Sequence, residues 1–122
     1  MVIFDTNVLI ELYRGNEQVR DAIQALDEGV FYVSAITVAE FLVGARNKQE
    51  IHRIRKHLDY YTMLPITSEI TEVFVNLFQE YSLSHKPSIP DTLIAATSLH
   101  YELPVLTLNK KDFRYFPGIK LV

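Results

Sequence analysis

Short apolar runs alternate along this chain with longer segments in which apolar residues recur every three or four positions. The short runs favour buried strands, because a strand covered on both faces needs apolar side chains at consecutive positions. The longer segments favour amphipathic helices. The predicted strands are residues 2–4, 30–33, 64–66 (the weakest), 104–108 and 119–122. The predicted helices run from Val8 to Gly15, from Val19 to Gly29, from Thr37 to Arg46, from Ile51 to Leu58, from Ile70 to Tyr81, and onward from Pro90.

The order of these elements predicts one architecture. Strands that alternate with helices, and that are apolar on both faces, indicate a mainly parallel sheet with helices packed on each side. The 122 residues suit a single domain, 1–122, without a repeat or a linker. Apolar residues make up 48% of the chain and charged residues 22%, which is a globular composition. We therefore predict an α/β protein with a single three-layer α/β/α domain.

Composition excludes several kinds of site. The chain has no cysteine, so it holds neither a disulfide framework nor a thiolate metal site. No apolar run approaches the ~18 residues that a membrane span needs, and no signal peptide is recognisable. These features predict a cytoplasmic protein with no membrane partner. The formal net charge of −3 provides no general basic field, so any contact with nucleic acid requires a local cationic patch.

Acidic residues stand where predicted strands lead into helices. Asp5 ends the first strand, and Glu40 lies in the first predicted helical turn after the second strand. Asp91 opens the alanine-rich helix, and Asp112 follows the fourth strand, three residues after Asn109. Ligands of an open parallel sheet bind at the carboxyl ends of its strands. These acids are therefore candidates for one shared site.

Each acid also has a purely local interpretation. A carboxylate near a helix N-terminus is stabilised by the helix dipole, by about 0.3–1 kcal/mol. The segment Thr37-Val-Ala-Glu40 matches a capping box, in which the glutamate bonds the amide of the cap residue. Ser88-Ile-Pro-Asp91 matches nearly the same pattern with a shorter acid. Taken singly, each of these acids is interpreted as structural.

Taken together, the acids favour a cation site. Carboxylates gathered at one edge of a sheet repel one another, and they destabilise the fold unless a cation neutralises them. Carboxylate and amide oxygens are hard ligands, suited to Mg²⁺ or Mn²⁺. The histidines show no zinc-binding spacing, and none is expected beside the acids. They are His52, His57, His85 and His100.

Four segments carry a resemblance to a known family. They are FDTNVLIEL, SAITVAEFLVGA, PDTLIAATSL and PVLTLNKKDF, and in this order they resemble the signature segments of PIN domains. More narrowly, they resemble the VapC-type toxins of toxin–antitoxin modules. The resemblance implies an RNA-cleaving ribonuclease that depends on Mg²⁺ or Mn²⁺. It also implies two protein partners, a second copy of the chain in a homodimer and a small neutralising antitoxin.

The resemblance assigns roles to individual residues. By position, Asp5, Glu40 and Asp91 are the main catalytic and metal-binding acids. The fourth polar position is either Asn109 or Asp112. Asn109 can offer an oxygen but adds no charge, so Asp112 is the expected fourth acid of the catalytic and metal-binding set.

Polar residues beside these acids have two interpretations. Thr6 and Asn7 can cap the next helix and bond the loop backbone, as short polar side chains commonly do. They can equally orient Asp5 and Glu40 from outside the ligand set. Asn109 is a further candidate for orienting the site or the substrate.

Binding RNA requires a cationic surface. The segment RNKQEIHRIRKH, residues 46–57, carries five cationic side chains against one acid. Its apolar residues Ile51 and Ile54, with Leu58, are expected to be buried, so the cations lie on other faces. They form either a phosphate-binding rim beside the acids or an ordinary solvated helix face. The candidate RNA-binding residues are Arg14, Arg46, Arg53, Arg55, Lys56 and Lys110.

Two other functions fit parts of the pattern. A response-regulator receiver shares the size, the layered fold and an acidic pocket. It needs a phosphoacceptor aspartate after the third strand, where this chain has Pro65-Ile-Thr-Ser. A catalytically inactive PIN-like domain would only bind a partner, and the presence of Asp5, Glu40 and Asp91 argues against it.

An aromatic stripe offers a surface for a dimer. Phe74, Phe78 and Tyr81 recur at helical spacing, and Tyr60-Tyr61 end the preceding helix. Such a stripe more often belongs to the core, and we expect that for Phe74.

Overall fold

The secondary structure comes from a computed structural model, which describes residues 1–27 and 29–122. The strands are β1 (Val2–Phe4), β2 (Phe31–Ser34), β3 (Thr62–Leu64) and β4 (Val105–Leu106). The helices are α1 (Thr6–Tyr13), α2 (Glu17–Ala25), α3 (Ala35–Val43), α4 (Lys48–Leu58), α5 (Ser68–Tyr81) and α6 (Ile89–Tyr101), followed by a 3₁₀ turn, Lys110–Asp112. Across the described ranges, no helix combines the length and the apolar character needed to cross a membrane.

The strands form one parallel sheet in the order β3-β2-β1-β4. The chain moves outward from β1 to β3 and then returns to the opposite side of β1, so the topology reverses between β1 and β4. In open parallel sheets such a reversal leaves a crevice at the carboxyl ends of the two strands. The predicted parallel sheet is confirmed, and its topology defines where a site is expected.

Two hydrophobic cores cover the two faces of the sheet. Side chains of a strand point alternately to opposite faces, so Ile3 belongs to one core while Val2 and Phe4 belong to the other. On the Ile3 side, α5 and α6 contribute fully buried residues such as Ile70 and Ile94. Helices α1, α2, α3 and α4 pack on the opposite side. Burying each such side chain stabilises the fold by about 1.5–3 kcal/mol. With helices on both faces of the sheet, the predicted three-layer arrangement is confirmed.

Helix α3 begins two residues earlier than predicted. Ser34 caps it, accepting a 3.2 Å hydrogen bond from the backbone of Ile36, in keeping with the preference of serine for this position. Thr37 is therefore a buried residue inside the first turn, and the predicted capping box from Thr37 to Glu40 is wrong. Glu40 lies in the second turn, where its carboxylate has no cap to bond.

Three predicted elements are shorter or displaced. β3 ends before Pro65 instead of occupying 64–66, because proline has no N–H to donate to a neighbouring strand. The predicted strand 119–122 reduces to a parallel bridge between Leu121 and Val105. Helix α2 ends before the predicted limit at Gly29, and residue 28 of that prediction lies outside the described residues.

Helix α4 buries a different set of residues from the predicted one. Ile54 is buried and Leu58 is half-buried, but Ile51 is 43% exposed. Glu50 occupies the buried position instead, with 8% exposure. Its carboxylate is bonded to Arg46 by the backbone N–H and by the guanidinium, each at 3.1 Å. A buried glutamate paired with the exposed guanidinium of Arg46 therefore replaces the expected apolar contact.

The aromatic stripe on α5 lies at the edge of a core. Phe74 packs against the core beneath α5, as predicted, and so does Tyr81. The ring of Phe78 is half-buried and meets Phe74 at a centroid distance of 5.1 Å. Of the two tyrosines after α4, Tyr60 is 80% exposed while Tyr61 packs onto the opposite core.

Candidate active site

Asp5 lies at the carboxyl end of β1, where the topology reverses. Its backbone N–H donates to Leu106 of β4 at 2.9 Å, which holds it in the sheet. Its carboxylate caps α1 through one oxygen, since Oδ1 accepts a 2.8 Å bond from the N–H of Thr6. The other oxygen, Oδ2, accepts a 2.7 Å bond from the hydroxyl of Thr107 across the crevice. Capping of α1 therefore explains the position of one carboxylate oxygen of Asp5 but not of the other.

The environment of Asp5 opposes its negative charge. Asp5 is only 5% exposed. Burial raises the pKa of Asp5 from 3.8 to about 6, the charges of Asp91 and Glu40 push it upward as well, and the bonds from Thr107 and Thr6 act in the opposite direction. Without a cation, ionised Asp5 is thus an unfavourable buried charge.

Glu40 is held by a hydroxyl from α1. Thr6 Oγ1 donates to Glu40 Oε1 at 2.6 Å, and it is also hydrogen-bonded to the hydroxyl of Thr37 at 3.1 Å. The two threonines are buried, so they couple the starts of α1 and α3 inside the protein. Charge-assisted hydrogen bonds of this length are about twice as strong as neutral ones, and this one fixes the direction of the Glu40 side chain.

Asp91 and Asp112 approach the crevice from the other side. Asp91 lies in the first turn of α6, where its N–H donates to the cap residue Ser88 at 3.1 Å. Burial raises the pKa of Asp91, the Ser88 bond lowers it, and the charges of Asp112 and Glu40 raise it. Asp112 lies in the 3₁₀ turn after β4. Asp5, Glu40 and Asp91 are thus close enough to interact electrostatically, and Asp112 is close enough to act on Asp91.

Asn7 and Asn109 act mainly on the backbone around the crevice. Oδ1 of Asn7 accepts a long, 3.4 Å bond from the backbone N–H of the loop after β4. Asn109 is exposed, and its backbone N–H donates to the hydroxyl of Thr107 at 3.0 Å. Of the two candidates for the fourth position, Asp112 therefore adds charge to the crevice, while Asn109 supports Thr107 through its main chain.

The sequence did not lead us to predict two residues of the crevice, Thr107 and His85. Thr107 is 4% exposed and bonds Asp5, and the available signal was a lone hydroxyl inside the apolar run 104–108. No histidine adjoins an acid in the sequence, but the fold brings His85 to the cavity that Asp91 and Asp112 line. Its loop joins two helices rather than ending a strand, so the pattern of strand ends did not identify it.

The donor chemistry of the crevice fits a hard divalent cation. The acids offer only oxygen ligands. A positive charge nearby would lower the raised pKa values of Asp5 and Asp91. Among residues 1–27 and 29–122, no three acidic or histidine side chains lie close enough together to hold a metal ion as a group. Mg²⁺ is usually held by one or two carboxylates and keeps several waters, so an open arrangement of this kind suits it.

Two predicted RNA-binding cations lie beside the acids. Arg14 and Arg46 line a cleft of about 440 Å³ whose wall includes Glu40. Arg14 is exposed and pairs loosely with Glu11 at 3.3 Å. Arg46 is anchored by Glu50, and its hydrogen bonds lower the pKa of that buried glutamate. The fold therefore places two exposed guanidinium groups, each paired with a glutamate, in the same cleft as Glu40.

The other predicted cations are distributed over separate surfaces. Arg53 lies 3.7 Å from the Glu50 carboxylate and lines a shallow depression on α4. Arg55 lines a different hollow, together with Tyr61. Lys56 is exposed in the last turn of α4, and Lys110 is exposed in the 3₁₀ turn. Of the cations in residues 46–57 named as RNA-binding candidates, only Arg46 lines the cleft that contains Glu40, together with Arg14. A solvated helix face remains the other interpretation of this segment.

The chain belongs to the PIN domain family, whose match covers residues 2–118. It is 29% identical to Ribonuclease VapC of Rickettsia bellii, over 99% of this chain and 94% of that protein. It is 30% identical to Ribonuclease VapC1 of Rickettsia felis over the same shares. A solved toxin–antitoxin complex from Klebsiella pneumoniae contains a chain that superimposes with a TM-score of 0.83 at 35% identity, covering 98% of this chain and 95% of that one.

The receiver interpretation does not survive these findings. A receiver requires an aspartate at the end of its third strand. Here β3 ends at Leu64 and Pro65 follows directly. The membership of the PIN family and the position of the acids both point away from phosphoacceptor chemistry.

Proposed function

We propose that this protein is an endoribonuclease that hydrolyses RNA phosphodiester bonds in the crevice between β1 and β4, with Mg²⁺ or Mn²⁺ as cofactor. A single observation carries this proposal: Asp5 is buried at the carboxyl end of β1, beside β4, where the charges of Asp91 and Glu40 raise its pKa further. Proteins retain such unfavourable charge mainly where it is used for binding or catalysis. The similarity to proteins named ribonuclease gives the substrate class.

Each acid has a defined task in this proposal. Asp5 and Asp91 hold the cation, and Glu40 and Asp112 complete its surroundings directly or through water. A divalent cation held there would lower the pKa of a water molecule and polarise a phosphoryl oxygen. Thr6 keeps Glu40 aimed at the crevice by donating its hydroxyl proton.

Residues around the acids orient them and bind the substrate. The hydroxyl of Thr107 fixes Oδ2 of Asp5, so the carboxylate cannot rotate away from the crevice. Arg14 and Arg46, in the cleft beside Glu40, contact RNA phosphates and set the path of the strand. Since Arg46 is already held by Glu50, less side-chain entropy is lost when RNA binds.

The partners follow from the same similarity. The Klebsiella structure is a toxin–antitoxin complex, and we assign this chain the role of the toxin, neutralised by a small antitoxin protein. We also propose a homodimer, a single domain over 1–122 and a cytoplasmic location, where RNA substrates are present. Light scattering of the purified protein at micromolar concentration tests the dimer, and a strict monomer would remove that part.

RNA cleavage tests the proposed function. Wild-type protein is incubated with a panel of single-stranded and structured RNAs in Mg²⁺, in Mn²⁺ and in EDTA. We expect cleavage with either metal, none in EDTA, and a loss of more than about 100-fold in Asp5→Asn, since even outer residues of metal sites contribute ~10–100-fold. The matched control is Asp21→Asn, which removes an exposed aspartate from α2 and leaves cleavage unchanged. Absence of cleavage by the wild type with both metals would favour the catalytically inactive binding module instead.

A further inference from the structure

An aromatic pair lies at the end of the crevice formed by Asp91 and Asp112. The imidazole of His85 stacks on the phenol ring of Tyr115, with centroids 4.1 Å apart and an interplanar angle of 14°. Both rings line a cavity of about 340 Å³ that also contains Asp91 and Asp112. A stacked aromatic surface thus adjoins the acids directly.

Tyr115 packs against neighbouring aromatic rings of the protein, whereas His85 is exposed. Tyr115 is half-buried and packs against Tyr81 and Phe116, at centroid distances of 5.4 and 4.3 Å. The backbone N–H of His85 donates to the carbonyl of Tyr81 at 2.9 Å, and its Nδ1 lies 2.8 Å from the hydroxyl of Ser84. His85 is nevertheless exposed, and its ring also meets that of Tyr81 at a centroid distance of 5.6 Å and an interplanar angle of 73°.

Cations complete this surface. Lys86 and Lys111 are exposed and line the same cavity as His85 and Tyr115. Proteins that bind single-stranded nucleic acid combine these two features, because a base stacks on an aromatic ring while cations neutralise the backbone. Bases inside a duplex offer no free face for such stacking, and unpaired bases do.

We propose that His85 and Tyr115 form a stacking subsite for one unpaired base of the RNA. The base extends the stack on the exposed ring of His85, and Lys86 and Lys111 neutralise the phosphates beside it. The location of this base next to the scissile phosphate rests on the proposed nuclease function, whereas stacking itself requires no cleavage. The subsite therefore selects single-stranded RNA over duplex RNA.

RNA binding without turnover tests the subsite. Asp5→Asn protein in Mg²⁺ is titrated against a fluorescent single-stranded RNA of about ten nucleotides, and the anisotropy is recorded. We expect His85→Ala in this background to weaken binding by at least about fivefold, the low end of what stacking one base contributes. His85→Phe retains an aromatic face and should bind within twofold of the background protein. The control is His100→Ala, which removes an exposed histidine from the last turn of α6 and should leave binding unchanged.

Each outcome decides the assignment. Equal binding by His85→Ala and the background protein would overturn it, and so would binding of His85→Phe as weak as that of His85→Ala. No binding of single-stranded RNA at all, or equal affinity for the same RNA annealed into a duplex, would overturn it too. If RNA binding depends on His85 but the wild-type protein cuts no RNA, the subsite is kept and the nuclease function is rejected. If the wild-type protein cuts RNA but RNA binding does not depend on His85, the nuclease function is kept and the subsite is rejected.

Discussion

Replacing Asp5 by asparagine removes the buried charge while keeping most of its bonds. Asparagine has nearly the same size and is an equally good helix cap, so its side-chain oxygen can still accept the N–H of Thr6. Its amide can donate to the hydroxyl of Thr107, which has a second lone pair beside the one that accepts the N–H of Asn109. The substitution therefore isolates the electrostatic cost of the carboxylate from its structural contacts.

The sign and size of this cost follow from the pKa. The pKa of Asp5 is raised from 3.8 to about 6, chiefly by burial, so the folded protein holds this proton more tightly than the unfolded chain. A carboxyl group with a raised pKa loses stability as pH rises from the unfolded value to the folded one. At about 1.4 kcal/mol per pH unit, the loss is complete above pH ~6 and amounts to about 3 kcal/mol. Asparagine does not titrate, so the Asp5→Asn variant does not lose this stability as the pH rises.

Urea or thermal unfolding in EDTA between pH 4 and pH 8 measures the difference. We expect Asp5→Asn to be more stable than the wild type at pH 7.5, by up to about 3 kcal/mol, or roughly 4 °C in melting temperature per kcal/mol. The gap should close toward pH 4, where Asp5 is protonated in the folded protein. Asp21→Asn, at an exposed position on α2, should show no such gap. A variant less stable than the wild type at pH 7.5, or a gap independent of pH, would refute the buried-charge explanation.

Substitutions at three further positions test residues that hold the acids or Arg46. Thr107→Val removes a donor from a buried carboxylate and should lower apo stability at neutral pH by about 1–3 kcal/mol, as seen in thermal melts. Unchanged stability would contradict its role. Thr6→Val should lower RNA cleavage by about 10–100-fold by releasing Glu40, while Thr6→Ser keeps the donor and the activity. Equal rates in these two variants would reject that role. Glu50→Gln should weaken RNA binding measured by anisotropy, since it loosens Arg46, and affinity equal to wild type would contradict this.

The sequence predicted the elements whose pattern is locally determined. The apolar run before Asp5 required a buried strand, and the polar residues directly after it marked a strand end, which the structure confirms. The parallel sheet and both helical layers followed from the alternation of elements. These features depend on spacing along the chain, and spacing is visible without coordinates.

The remaining features depend on which side chains meet across the fold. Thr37 and Glu40 match a capping box in sequence, but Ser34 begins the helix and Glu40 bonds a residue from α1. Glu50 occupies a position that helical periodicity assigns to the apolar side, because its charge is neutralised by Arg46. Some of these partners are near in the sequence, as Arg46 is, and others lie across the fold, as Thr6 does. The amphipathic pattern records neither kind of partner.

Direct titration of metal tests the central claim, that the acids form a divalent-cation site. Mg²⁺ and Mn²⁺ are titrated by calorimetry, without RNA, into wild-type protein, Asp91→Asn and the exposed-site control Asp21→Asn. We predict a site in the wild type and the control that Asp91→Asn weakens by at least about 10-fold, because a hard cation loses a charged oxygen ligand. Equal affinity in all three proteins, or no binding by the wild type, would contradict the assignment of the crevice as a metal-dependent active site.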